Sequence, residues 1–188
     1  MCIGDFEGAA HRVRCVGTRF AKSPLIPLYL SNMKILSIRA LRGPNVYHRR
    51  PVLVATIDLE QLWNTQSRDL PGFNERLLRA VPGLGTHRCS RGHEGGFVER
   101  LTEGTYFAHI VEHVALELST AAGIDVGFGK ARWAADRGVY NVIVRYKSEP
   151  GMKRIVEIAV ELGLVARPAV AALKVPKVEV RDRPPAWV

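Results

Sequence analysis

The sequence has little cysteine, few aromatics and no long apolar run, and each shortage excludes something. Three cysteines in 188 residues, Cys2, Cys15 and Cys89, form no paired framework. A disulfide-stapled secreted scaffold is thereby excluded, and a reducing compartment fits. No stretch approaches the ~20 uninterrupted apolar residues that a membrane-spanning helix needs. The nearest candidate, PLIPLYL, is short, interrupted by prolines and without the small-residue cleavage pattern of a secretory signal. A cytoplasmic location and no membrane partner are expected. The chain has no internal repeat and no G-x-x-x-x-G-K-[ST] phosphate loop, since GFGKAR is too short and wrongly spaced. No ATP site, and no ATP-dependent ligation by this chain alone, is therefore expected. Aromatic residues are only 7% of the total, with no basic, aromatic-studded motif of the RNA-binding kind.

What is there is ordinary globular composition, 47% apolar and 24% charged, in a length that suits one well-buried domain. The formal charge of +9 raises the question of a polyanionic partner. Residues 1–32 and 168–188 each carry four Lys/Arg against two acids, which leaves 19 basic and 14 acidic residues between them. Much of the basicity thus lies in the two ends. A solvated surface of mixed charge is the plainer reading, and nucleic acid is not the expected partner.

Residues 1–32 mix Gly, Arg and Pro without a sustained period and read as a flexible extension or an over-long start. The domain is expected over 33–167, and the Pro-, Val- and Arg-rich residues 168–188 read as a linker-like tail. Within the domain MKILSIRALRG and PVLVATIDL read as strands. NERLLRAV reads as a helix with Asn74 as its cap, and FVERL as a short strand after a glycine-rich loop. A helix is expected from about Tyr106 to Ala122, with Thr105 as a candidate cap and Gly123 at its C′ position. GIDVGFGKAR reads as a loop, VYNVIVRY as a strand and GMKRIVEIAVELGL as an amphipathic helix. The order β-β-α-β-α-β-α points to an α+β fold: a two-layer sandwich with helices on a largely antiparallel sheet.

The expected long helix carries His109, Glu112, His113 and Glu117. Positions i and i+4 on a helix differ by only about 40° around the axis, so His109, His113 and Glu117 climb one face with Glu112 beside them. Two neutral imidazoles one turn apart can hold Zn²⁺, and Glu112 is then placed to take a proton from water as general base. The order H-x-x-E-H is the inverted form of the zincin motif. The alternative is a polar seam in a core, with each ring hydrogen-bonded inside the protein. GTYFAHIVEH resembles the inverted zinc segment of pitrilysin-like metallopeptidases, which take a glutamate as third ligand from far along the chain. That resemblance implies a glutamate here too, with Glu117 the nearest candidate, on the same helix face, and Glu157 and Glu161 on the last helix the distant ones.

A wider resemblance covers Met33 to about Val165. MKILSIRALRGPNVYHRR, IDLE, PGF, HRCSRGHEGGF, EGTYFAHIVEHVALEL and AGIDVGFGKAR occur in the order seen in the N-terminal domain of cyanophycin synthetase. The full enzymes of that family make cyanophycin, a polyaspartate backbone bearing arginine on each side chain, and their ligation domains lie downstream. The resemblance implies a domain that binds the polymer through charged surface and, in some members, clips it into primers at a metallopeptidase-like site. That site falls on His109, Glu112 and His113. It also implies the synthetase's catalytic domains as partners and an oligomeric assembly; the chain reads as a fragment, a stand-alone domain or a partner of separately encoded parts. Arg42, Arg49, Arg50 and Lys130 are the candidate contacts to the polymer's carboxylates, and Glu99 and Glu103, by position, to its arginines; for each cation taken alone a solvated charge is the plainer reading. The family often has C-S-x-G-C-x-G-G-F where this chain has Cys89 and then His93. A secondary metal site at Cys89 and His93 thus stands beside the plainer reading of a glycine-rich loop with a buried thiol. The functional expectation is a polymer-binding module with a zinc-dependent hydrolytic site; its alternative is a non-catalytic polymer-binding or scaffold domain.

Overall fold

The alternation that opens at Met33 becomes an edge strand, and the β-branched run after Pro51 becomes a central one. In the computed structural model the described residues are 33–165 without 125 and 135; the expected extension over 1–32 and the tail over 168–188 lie outside them. The strands are β1 (Lys34–Leu41), β2 (Val52–Asp58), β3 (Gly129–Trp133) and β4 (Val139–Arg145), and the helices are α1 (Phe73–Ala80), α2 (Gly96–Glu103), α3 (Phe107–Ala121) and α4 (Glu149–Val165). The sheet has the order β1-β2-β4-β3, and every neighbouring pair is antiparallel. α3 lies against β3 and β4, and α4 against α3 and β2, so the chain adopts the α+β arrangement expected from its sequence.

β2 explains the position of the core. Its run VLVA is fully buried, because alternate side chains point to opposite faces and both faces are covered. Leu53, Ala55 and Ile57 join Tyr140, Val142 and Val144 of β4 beneath the helices. Val52, Val54 and Ile143 point the other way and pack with Leu41, Tyr47 and Phe128. Burying one such side chain stabilises the fold by about 1.5–3 kcal/mol.

Two elements differ from the expectation. FVERL is not a strand but the body of α2: Phe97 and Leu101, one helical turn apart, are both fully buried, and Gly104 at φ +108° ends the helix. GKARW is not loop but β3, an edge strand in which only Ala131 is buried; register with β4 rather than hydrophobicity holds it. Helix starts also differ. α1 begins at Phe73 behind Gly72, and the Asn74 amide donates to the Leu101 carbonyl instead of capping. The N-cap of α3 is Tyr106, while Gly123 at φ +73° terminates the helix as expected. No helix among the described residues is long and apolar enough to cross a membrane.

The segment between β2 and α3 is the irregular part. It runs through short 3₁₀ turns at Glu60–Leu62, Ser67–Asp69, Pro82–Thr86 and Cys89–Arg91, with α1 and α2 among them. It passes in front of α3, and two of its turns meet the histidine face of that helix.

Candidate metal centre

α3 is enclosed almost all round: Phe107, Ala108, Ile110, Val111, Val114 and Ala115 are fully buried. Polar groups on such a helix must find partners or leave their charge behind. His109 and His113, one turn apart, point into the irregular segment. His113 is 5% exposed and Glu112 7%.

Each histidine is held through Nδ1. That of His109 lies 2.8 Å from Thr105 Oγ1, and that of His113 lies 2.9 Å from His87 Nδ1. The other nitrogen of His87, Nε2, is 2.9 Å from Glu117 Oε2. His109 Nε2 faces Cys89 Sγ at 3.3 Å. Phe97 of α2 closes the wall, stacked on the His113 ring with centroids 4.0 Å apart at 21° and edge-on to His109 at 5.7 Å.

Cys89 Sγ and one ligating nitrogen each of His109 and His113 all lie within 4.8 Å of one another. A thiolate and two imidazoles are a donor set suited to zinc, and three protein donors leave a position open. Cys89 reaches the histidines from a left-handed backbone at φ +54°. A non-glycine residue there costs about 1–2 kcal/mol, which the surrounding turn must hold.

Burial sets the charge state. It pushes the His109 imidazole down to about 4, with the Arg100 guanidinium adding to it. It holds His113 well below the ordinary value, helped by His109 and His87. Both rings are thus neutral near pH 7, the form in which imidazole ligates. Burial pushes Glu112 the opposite way, up to about 7, against the Ala131 backbone N–H and Lys130, which favour the carboxylate. Glu112 does not look onto the histidine wall. It packs on β3, where a Cβ at Gly129 would come within 2.9 Å of its Oε1.

The residues singled out by sequence therefore divide. Cys89, His109 and His113 converge. Glu117 reaches the site's edge through His87 and is not among the converging donors. His93 is exposed, with Nε2 3.4 Å from Glu99, and does not join Cys89. Glu103 pairs with Arg91 and Glu157 with Arg154. Arg42 is paired with Glu149 at 3.1 Å. Arg49 and Arg50 are exposed in the loop between β1 and β2, and Lys130 is exposed on β3. Sequence reasoning missed His87; its signal was the H-x-C spacing to Cys89 in HRCSRGH, which puts two metal-seeking side chains on one tight turn.

Residues 54–165 match the profile of the cyanophycin synthase-like N-terminal domain. Proteins named cyanophycin synthetase from Crocosphaera subtropica and Synechocystis are 46% identical over 132 residues, and one from Trichormus variabilis is 47% identical over the same length. The aligned part is 69% of this chain and 15% of each relative. By this match the chain belongs to the cyanophycin synthase-like N-terminal domain family.

Proposed function

We propose that this domain binds cyanophycin or a related aspartate–arginine polymer and hydrolyses it at a metal site, so generating primers for cyanophycin synthesis in the cytoplasm. The observation that carries the reading is the convergence of Cys89, His109 and His113, a donor set drawn from a loop and a helix far apart in sequence. A zinc ion held there would supply Lewis-acid polarisation of an amide carbonyl and of water. The chain's own residues do the rest. The neutral imidazoles of His109 and His113 are ready to donate without first losing a proton. Glu112, next to His113 on α3 and raised toward neutrality by burial, is assigned the proton-accepting role, which requires its carboxylate to swing from β3 toward the metal's open position. Arg42, Arg49, Arg50 and Lys130 offer cations to the polymer's carboxylates. The ATP-dependent steps belong to synthetase domains outside this chain, which are the proposed partners, and an oligomer is the proposed assembly.

The second reading is a non-catalytic polymer-binding or scaffold domain. One observation favours it: Thr105 bonds His109, and Glu117, His87 and His113 bond in series, as structural polar groups in a core would.

Elemental analysis of the purified chain separates the two. About one zinc per chain, lost in a His109→Ala/His113→Ala variant, together with polymer cleavage lost in Glu112→Gln, supports the hydrolase. Absence of metal, with Glu112→Gln unchanged in every assay, leaves the scaffold.

A further inference from the structure

We propose that Glu117 and His87 form an outer chain that fixes the tautomer of His113 for a metal, so that Glu117 acts on the site through His87 and is not a ligand. This rests on the metal reading above, but its hydrogen-bond logic stands on the protein alone. A carboxylate only accepts, so the 2.9 Å contact to Glu117 places a proton of His87 on Nε2, and where the ring carries that one proton Nδ1 keeps a lone pair. That lone pair faces His113 Nδ1 at 2.9 Å, a distance at which one nitrogen must donate to the other. His113 is therefore the donor, with its proton on Nδ1, and its Nε2 is bare.

A similar arrangement holds His109, whose Nδ1 lies against the Thr105 hydroxyl, able to accept its N–H, while Nε2 turns toward Cys89 Sγ. His109 thus turns Nε2 toward the thiol, and one ring nitrogen of His113 lies in the same cluster, all within 4.8 Å. Ligating histidines ordinarily donate their second N–H to an oriented acceptor, which fixes the ring and raises its basicity.

The chain has a built seat. A Cβ at Gly83 would overlap the Glu117 carboxylate, so this carboxylate fits because position 83 has no side chain. The backbone of His87 is pinned on both sides: its N–H donates to the Leu84 carbonyl, and its own carbonyl accepts from Phe97 N–H. Gly83→Ala is accordingly a displacement of Glu117 that leaves every donor in place, and Glu117→Gln weakens the acceptor while keeping the shape.

The test uses the whole chain and two readouts. In the metal-free protein, long-range proton–nitrogen NMR should find His113 as the Nδ1–H tautomer, and Glu117→Gln and Gly83→Ala should redistribute it. Zinc competition against a chelating dye should then find stoichiometry of one in both variants, with affinity lower by about 10–100-fold. Cobalt substitution should keep its thiolate charge-transfer band in Glu117→Gln and lose it in Cys89→Ser. An Nε2–H tautomer on His113, unchanged affinity in both variants, or complete loss of stoichiometric binding in Glu117→Gln overturns the proposal. The expected tautomer in a wild-type chain that takes up no zinc or cobalt overturns the metal reading instead, leaving the chain of hydrogen bonds as a core network.

Discussion

The two faces of α3 that carry H-x-x-E-H are built from different materials. His109 and His113 look onto an irregular wall of turns that includes His87, Cys89 and Phe97, whereas Glu112 looks onto β3, a regular strand represented by Gly129 and Ala131. Both settings desolvate the groups within them, and both favour the neutral form: His109 is pushed down to about 4 and Glu112 up to about 7. The difference lies in how the polar atoms are answered. The histidine face is answered by other side chains that can reorganise around an ion, and the glutamate face by a strand amide that cannot move without breaking the sheet. Neighbouring letters of one motif thus occupy one adaptable and one rigid environment.

The largest break in this comparison should come from Phe97→Ala. It removes a fully buried ring that forms the histidine wall, at a cost of about 3–5 kcal/mol. Denaturant unfolding measures the loss, and the α3–β3 side should keep its protection in hydrogen exchange.

Next is pH. In the metal-free chain His109, and with it His113, has a folded value below the unfolded one near 6.5, so the unfolded state takes up protons first and stability rises as pH rises from about 4 to 6.5. Glu112 has its folded value raised from 4.5 to about 7, so its contribution is present below 4.5 and lost as pH climbs to about 7. For His109 and Glu112 each shift corresponds to roughly 3 kcal/mol. The slopes oppose one another in the wild type, and Glu112→Gln should leave the histidine slope alone. Urea midpoints with a chelator present should therefore climb more steeply between pH 4.5 and 6.5 in the variant; identical profiles would remove the assigned role of burial at Glu112.

Gly129→Ala sharpens the rigid face. The new methyl meets the Glu112 Oε1 and Cγ at 2.9 Å and Leu116 at 3.0 Å, costing about 1–3 kcal/mol. Gly129→Ala/Glu112→Ala should recover part of it, read as coupling in a double-mutant cycle. The smallest effect is expected far from either face. Arg49→Ala/Arg50→Ala removes two exposed cations, with no measurable change in unfolding midpoint but, on the proposed function, weaker and less salt-sensitive retention of the polymer on a binding column.

Much of the fold was legible because it depends on local periodicity. β1, β2 and β4 follow from β-branched and alternating residues, and α3 from its apolar run with Gly123 at the end. α2 and β3 were misread for opposite reasons. FVERL has too few residues to show its period, and its helical state depends on burying Phe97 and Leu101 together. GKARW has no apolar pattern, and its strand exists because β4 offers an unpaired edge. At the site, His109 and His113 were legible because i and i+4 is itself a geometric statement. Cys89 was visible as a metal-seeking residue, but its partner was not His93.

What the sequence by itself determined is therefore what a single helix or strand can encode: the imidazole pair, the neighbouring carboxyl, the turn with its cysteine, and the family pattern that joins them. Only the tertiary structure decided that Cys89 meets His109, that Glu117 seats over Gly83 and bonds His87, and that Glu112 turns to the sheet. These contacts span up to 34 positions in the chain between Gly83 and Glu117. Their directions are set by how α3 is rotated against β3 and by the path of the irregular segment, quantities that depend on the packing of the whole core and on no local spacing.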